Sequence, residues 1–218
     1  MTPLLDVRGL ETRYGSTAVL KGIDFSLRRG EIVGLIGANG SGKTTFLRTL
    51  LGLTTFEAGH VEWAETGNPF PPEGADLFGG AQTLPPHVRT RTWVHLVSRG
   101  EADSGDRRPF RELSRGSRQL LGLQAVLARP RLAAVFLDEP WEGLDPDGAR
   151  WLSGTVRRRR DEGCAFLVSS HRLHDLAGLC DRYAFLREGR LDVRAAAEVA
   201  KGTVGGADLL EAFDRIES

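Results

Sequence analysis

Residues 37–44 read GANGSGKT and stand between an apolar run, Glu31-Ile32-Val33-Gly34-Leu35-Ile36, and a stretch of helical spacing, Phe46-Leu47-Arg48-Thr49-Leu50-Leu51. A short continuous apolar run of this kind makes a buried parallel strand. The pattern G-x-x-x-x-G-K-[ST] is therefore placed where strand gives way to helix, which is the setting in which such a loop wraps an anion. Gly37, Gly40 and Gly42 let the backbone approach closely and turn several N–H groups inward. The helix expected to begin near Lys43 adds the positive end of its dipole. Lys43 can then reach the β and γ phosphates of a nucleotide, and the Thr44 hydroxyl can ligate a bridging Mg²⁺.

The 218 residues are enough for one sizeable α/β domain, and 27 glycines and 10 prolines suit many strand-to-helix turns. With 29 basic and 29 acidic residues the formal charge is zero, so composition gives no sign of a nucleic-acid binder. Cys164 and Cys180 lie too far apart for a CxxC motif, which points to a reducing, cytoplasmic setting. Asp6 and Arg8 interrupt any signal-peptide core, and no apolar run is long enough to span a bilayer. If a membrane is involved, another subunit must provide the span.

Residues 4–7 and 19–27 read as strands joined by a turn at Gly15-Ser16, forming an antiparallel layer ahead of the phosphate loop. Tyr14 lies in that turn, where its ring could stack on a base or simply pack on the surface; position alone leaves both open. His60-Val61-Glu62-Trp63 resembles an edge strand, and residues 75–81 a short strand ending at Gln82. A helix is expected over residues 92–98, then an exposed polar loop over 99–111. Ser114 offers an N-cap for an apolar helix stopped at Pro130. Residues 133–139 form a hydrophobic strand ending in Asp138-Glu139, and residues 147–160 a helix whose Arg157-to-Arg160 run is a solvated, dipole-compensating end. A further buried strand over 164–168 leads to Ser169-Ser170-His171 and a helix reaching about Leu179. Glu188-Gly189-Arg190 marks a hairpin, and residues 207–216 an amphipathic helix.

In a parallel sheet the carboxyl ends of neighbouring strands converge on the ligand. Asp138 can thus hold Mg²⁺ through water, while Glu139, one step further out, can polarise a water for attack on a γ-phosphate. A Glu139 that merely caps the following turn is the plainer alternative.

Taken together, these segments resemble the ATP-binding subunit of an ABC transporter, from about Leu4 to Val193. Tyr14 matches the aromatic loop that stacks on adenine, residues 37–45 the Walker A segment, and Gln82 the glutamine of the Q-loop. Leu113-Ser114-Arg115-Gly116-Ser117 stands in the place of LSGGQ. Phe136-Leu137-Asp138-Glu139 matches Walker B, Gly143-Leu144-Asp145 the D-loop, and His171 the switch histidine. The resemblance implies a P-loop NTPase core with a mixed or parallel sheet, an N-terminal antiparallel β layer and a shortened helical subdomain. The core would comprise residues 1–81 and 131–218, and the helical subdomain residues 82–130. It also implies that ATP contacts Tyr14, Gly37, Asn39, Gly40, Ser41, Gly42, Lys43, Thr44, Thr45 and Gln82, and that Thr44, Gln82 and Asp138 attend Mg²⁺. Glu139 and His171 would be catalytic. Two subunits, as a homodimer or heterodimer, would pair head to tail. Ser114 and Gly116 of one would then face the nucleotide of the other across the interface. Gln82 would relay closure to a separate transmembrane permease, with the ATPase peripheral on the cytoplasmic face.

Two features depart from the family pattern. Arg115 and Ser117 replace the first glycine and the glutamine of the signature. Arg115 either pushes the facing nucleotide away, weakening hydrolysis, or adds its guanidinium to the γ-phosphate. The interval from Gln82 to Leu113 is also short, which implies a trimmed helical subdomain. Residues 169–176, residues 179–182 and the final helix resemble the branch that exports antibiotics and haem, and no regulatory domain follows, so export is expected. The alternatives are a soluble ATPase of the same fold acting on DNA or ribosomes, and a nucleotide kinase. Neither inserted coiled coils nor a second such domain is present, and a kinase would leave the signature region, D-loop and His171 unexplained.

Overall fold

A computed structural model of the chain describes residues 2–200. β1 (Leu5–Tyr14) and β2 (Thr17–Leu27) form the expected hairpin, followed by β3 (Ile32–Ile36), α1 (Lys43–Leu50) and β4 (Ala58–Trp63). β4 pairs with the far side of β1, giving a three-stranded antiparallel sheet in the order β2-β1-β4. β1 runs well past the expected end at Val7. A register shift between Val7 and Leu10 takes up Arg8 and Gly9, and alternation resumes with Leu10 and Thr12 buried. Such a bulge hides a strand's continuation from a period-two reading.

β5 (Ala75–Phe78) ends before a 3₁₀ turn, Ala81–Thr83, which carries Gln82. α2 (Thr90–Val97) is the one α-helix between Gln82 and Leu113, joined through a second 3₁₀ turn, Phe110–Glu112, to α3 (Arg115–Ala128). Next come β6 (Ala134–Asp138), α4 (Pro146–Asp161), β7 (Ala165–Ser170), the single turn α5 (Leu173–Leu176), β8 (Arg182–Arg187), β9 (Arg190–Ala195) and α6 (Ala196–Ala200). The second sheet runs β5-β6-β7-β3-β8-β9, parallel throughout except for the β8–β9 hairpin. The helix expected from His171 to Leu179 is therefore only α5. Gly178, at φ +66, takes the left-handed conformation that ends helices. The amphipathic helix expected over 207–216 lies outside the described residues.

The central strands β3, β6 and β7 are buried on both faces, so they read as continuous apolar runs. Ile32, Ile36, Val135, Leu137, Phe166 and Val168 face one core, which includes Leu123, Val126 and Leu152 of the helices. Val33, Leu35, Phe136 and Leu167 face the other, built with α1 and the three-stranded sheet. There Phe136 stacks on Trp63 with ring centroids 6.0 Å apart, and truncating either ring to alanine would cost about 3–5 kcal/mol. Gly34 interrupts β3 for want of space: a Cβ there would sit 3.0 Å from Cys180 Sγ and 3.1 Å from both Leu176 and Tyr183.

The arginine run of α4 is not wholly the solvated end it was expected to be. Arg159 turns inward, its Nε donating to Leu127 O at 2.9 Å and its Nη2 to Arg129 O, and so closes the C-terminus of α3. α3 ends on Arg129 as its C-cap with Pro130 next, which leaves no glycine cap, and this is why those carbonyls recruit a side chain.

Candidate functional site

The carboxyl ends of β3, β6 and β7 lie side by side, so the loops after them share one edge of the sheet. After β3 the chain turns through Gly40 at φ +81 and Gly42 at φ +107, backbone conformations costly for other residues. No side chain caps α1, so its first N–H groups remain for a ligand. Gly37 and Ser41 form the floor of the loop: a Cβ on Gly37 would fall 2.5 Å from Ser41 Oγ and 2.6 Å from Leu186 O. Ser41 Oγ is buried and has no hydrogen-bond partner among the described residues.

Lys43 is buried, and its Nζ donates to Gly37 O at 2.7 Å and Ala38 O at 3.3 Å. The same ammonium lies 3.3 Å from Glu139 Oε1, an ion pair without hydrogen-bond geometry. Thr44 Oγ1 donates to Asp138 Oδ2 at 2.6 Å. Asp138 Oδ1 accepts from Ser169 Oγ at 2.6 Å, and Ser169 Oγ accepts in turn from Glu139 N at 3.0 Å. Glu139 itself has φ +48, an uncommon conformation for a residue with a side chain and one that clusters at functional positions. Its Oε2 accepts from His171 N at 3.2 Å and meets His171 Nδ1 at 2.8 Å. The carboxylate thus bridges the loop lysine and the histidine after β7 instead of capping its own turn.

These groups surround a cavity of about 420 Å³ lined by Tyr14, Val19, Asn39, Gly40, Gly42, Lys43, Thr44, Thr45, Gln82, Asp138, Glu139 and Glu142. Tyr14 is 54% exposed, so its ring face is open to a ligand and is not packed away. Gln82 is tied by its amide to Gly79 O at 2.7 Å. Nearby, the pKa of the Arg172 guanidinium is raised above its usual range by the hydrogen bonds it donates to Asp175. Burial opposes that shift, and the charges of Asp175, Glu139 and Glu142 add to it. Ser114 and Gly116 do not line this cavity. Ser114 caps α3, its Oγ accepting from Ser117 N at 3.1 Å, and Gly116 packs against the loop after β6.

The donor set suits a hard cation. Thr44 and Asp138 offer only oxygen, and the Gln82 amide oxygen belongs to the same cavity. Among the described residues no cluster of three or more His, Cys, Asp or Glu could hold a metal alone. One carboxylate, Asp138, beside neutral oxygen donors suits Mg²⁺, which is usually held by one or two carboxylates and completes its shell with phosphate and water.

Three supporting residues escaped the sequence reading. Ser169 spaces Asp138 from Glu139, and only the β6–β7 register, which sets it opposite Asp138, discloses it. Gln119 is 2% exposed on an otherwise apolar face of α3. Its Oε1 accepts from Ala81 N at 2.7 Å, while its Nε2 donates to Pro140 O at 2.9 Å. A buried amide in a helix of leucines was a signal available in the sequence. Glu142 lines the cavity three residues past Glu139.

The profile of the ABC transporter family matches residues 20–142. The chain belongs to the ABC transporter family. It is 36% identical over 213 residues to a zinc import ATP-binding protein, ZnuC, of Alkalilimnicola ehrlichii, across 90% of this chain and 79% of that protein. It is 29% identical over 205 residues to a lantibiotic transport ATP-binding protein, SrtF, of Streptococcus pyogenes, across 86% and 89%. A solved ATP-binding subunit of an ABC transporter superposes with a TM-score of 0.77 at 22% identity, covering 91% of this chain and 92% of the other. The α/β architecture with its antiparallel layer is that of this solved subunit, and the family to which the chain belongs consists of ATPases coupled to transport. No described helix is long and apolar enough to cross a membrane.

Proposed function

We propose that this ABC ATPase powers export through a separate membrane permease, working at the cytoplasmic face as one of a pair of nucleotide-binding subunits. The observation that carries the site assignment is the convergence of Lys43, Thr44, Asp138, Glu139, Gln82 and Tyr14 on one cavity. Tyr14 offers a ring to adenine at one end. The residues of the loop, Gly37, Asn39, Gly40, Ser41, Gly42, Thr44 and Thr45, hold the phosphates with Lys43. Binding exchanges the lysine's contacts with Gly37 O and Glu139 for phosphate oxygens, which frees Glu139 to act as base. Thr44, Gln82 and Asp138 would hold Mg²⁺, whose chemistry is to neutralise the charge that develops between the β and γ phosphates. Glu139 accepts the proton of the attacking water, and His171, already 2.8 Å from it, keeps that carboxylate oriented.

Residues 1–81 and 131–218 form the nucleotide-binding core in this reading, and residues 82–130 the arm that meets the partners. Ser114 and Gly116, away from the cavity at the start of α3, supply a helix N-terminus to the second subunit's nucleotide. Thr83, the residue after Gln82, lines a second cleft of about 450 Å³ with Phe78, Leu84, Trp93, Leu96 and Val126 among others, and this is the proposed seat of the permease. Leu96, 69% exposed there, gives that cleft an apolar rim.

Hydrolysis measured against protein concentration, with and without Mg²⁺, tests the pairing. The rate per subunit should rise with concentration and vanish in chelator; hydrolysis at full rate by a monomer, or no binding of MgATP, would refute it. Export is tested separately with the permease in inside-out vesicles, where cargo should accumulate inside; a requirement for an external binding protein would reverse the direction.

A further inference from the structure

Arg115 begins α3 at the position where the signature resemblance implies glycine, and the structure gives its side chain a definite partner. The Arg115 guanidinium lies 2.6 Å from Glu142 Oε1. Its stem runs across Gly143, where a Cβ would stand 3.6 Å from Arg115 Cγ. The two backbones are in contact as well, since a Cβ on Gly116 would fall 2.5 Å from Gly143 O. Glu142 belongs to the nucleotide cavity, and its N–H donates to Glu139 O at 3.1 Å, which fixes it at the catalytic end, away from Tyr14. A third carboxylate there, beside Asp138 and Glu139, makes the place where the terminal phosphate must settle more negative.

We propose that Arg115 and Glu142 are a matched pair: the arginine cancels the charge that Glu142 brings to the nucleotide cavity of its own subunit, and so preserves a preference for triphosphate over diphosphate that an uncompensated Glu142 would erode. Arg115 is here a positioning residue for its own subunit's site, and a specificity device, rather than an obstacle to a neighbour. The pair is half exposed, so its contribution to folding is slight and its effect is expressed in the potential that the ligand meets. This inference rests on the ATP-binding reading above.

The test is binding of the Mg²⁺ complex of the β,γ-imido analogue of ATP, and of MgADP, to the full chain and three variants at low salt. Arg115→Gly should weaken the triphosphate analogue about fivefold and MgADP less than about twofold, because Glu142 is left uncompensated. Glu142→Ser should not weaken the analogue. The double variant should return to within about twofold of the unaltered chain, so that the two changes are coupled and not additive. The coupling should shrink as salt is raised to about 1 M. Thermal melting of each variant checks folding, and the exchange Arg115→Glu with Glu142→Arg gives a second route to restored binding. Unchanged or tighter triphosphate binding by Arg115→Gly, or single effects that simply multiply, would overturn the pair. An unaltered chain that binds neither nucleotide would instead overturn the ATPase reading on which it rests.

Discussion

Replacing Gln119 by leucine should loosen the protein and slow its chemistry through the same two lost bonds. The side chain is 2% exposed and joins Ala81 N, next to Gln82, to Pro140 O, next to Glu139. Leucine fills nearly the same volume but leaves a buried N–H and a buried C=O without partners, at about 1–3 kcal/mol each. Its own burial returns about 1–2 kcal/mol, so the net loss lies between about 0 and 5 kcal/mol and centres on about 2–3 kcal/mol. For a chain of this size that central value lowers the melting temperature by roughly 4–12 °C. Because the strut also fixes the turn after Glu139, kcat should fall on the order of ten- to a hundredfold with ATP affinity nearly kept. Gln119→Glu separates the two contributions. Its ionised carboxylate can still accept from Ala81 N but repels Pro140 O, whereas the protonated acid can donate to it. The folded pKa then lies above the unfolded value of about 4.3, so stability is complete below that value and lost as pH rises through the folded one. Calorimetry from pH 8 to pH 5 should show the deficit of Gln119→Glu narrowing. A melting shift under about 2 °C for Gln119→Leu would refute the energetic reasoning, and a large shift with unchanged kcat would refute the positioning role.

Glu139→Gln should reduce turnover on the order of a hundredfold or more while leaving nucleotide binding, as scored by filter retention, in place; a rate within a few fold of the unaltered protein would move the base elsewhere. Gly116→Ala drives a methyl against Gly143 O and should cost about 1–3 kcal/mol in urea denaturation; an unmoved midpoint would show that the loop after β6 gives way freely. Burial raises Cys164 to about 12 from 9.0 and pushes Cys180 up as well, so both thiols stay protonated at pH 8 and should resist alkylation until the chain is unfolded. The same shift makes stability complete below pH 9 and subject to loss between there and about 12, so a melting temperature that rises over that range would contradict it.

What could be read from the sequence was what is local in the chain. The phosphate loop, the carboxylates closing β6 and the Ser114 cap are each specified by neighbours a few residues away, and each stands where the residues predicted. The departures have non-local or masked causes. The bulge at Arg8-Gly9 broke the alternation of β1, and Gly178 ended α5 after one turn, although that glycine stood in plain sight. Ser169 reaches Asp138, 31 residues away in the chain, only through the register of β6 and β7, and Gln119 reaches Ala81 only once α3 has packed on the end of β5. Arg159 looked like one of a solvated row because nothing in its own helix shows that α3 ends without a cap beside it.

The supporting residues found late share a physical task with the proposed catalytic ones found early. A cavity that gathers Lys43, Asp138 and Glu139 concentrates charge, and each part-buried charge needs partners whether or not a ligand is bound. Lys43 satisfies its ammonium with carbonyls of its own loop and the Glu139 carboxylate; Asp138 is held between Thr44 and Ser169. Glu139, in a strained conformation, is kept in place from three directions by Ser169 at its N–H, His171 at its carboxylate and Gln119 behind the next carbonyl. Strain of this sort persists only where the surroundings over-determine it. The contacts that let these charges be brought together during folding are thus the ones that aim them, and a substitution in the supporting shell is expected to be felt in stability and in turnover alike.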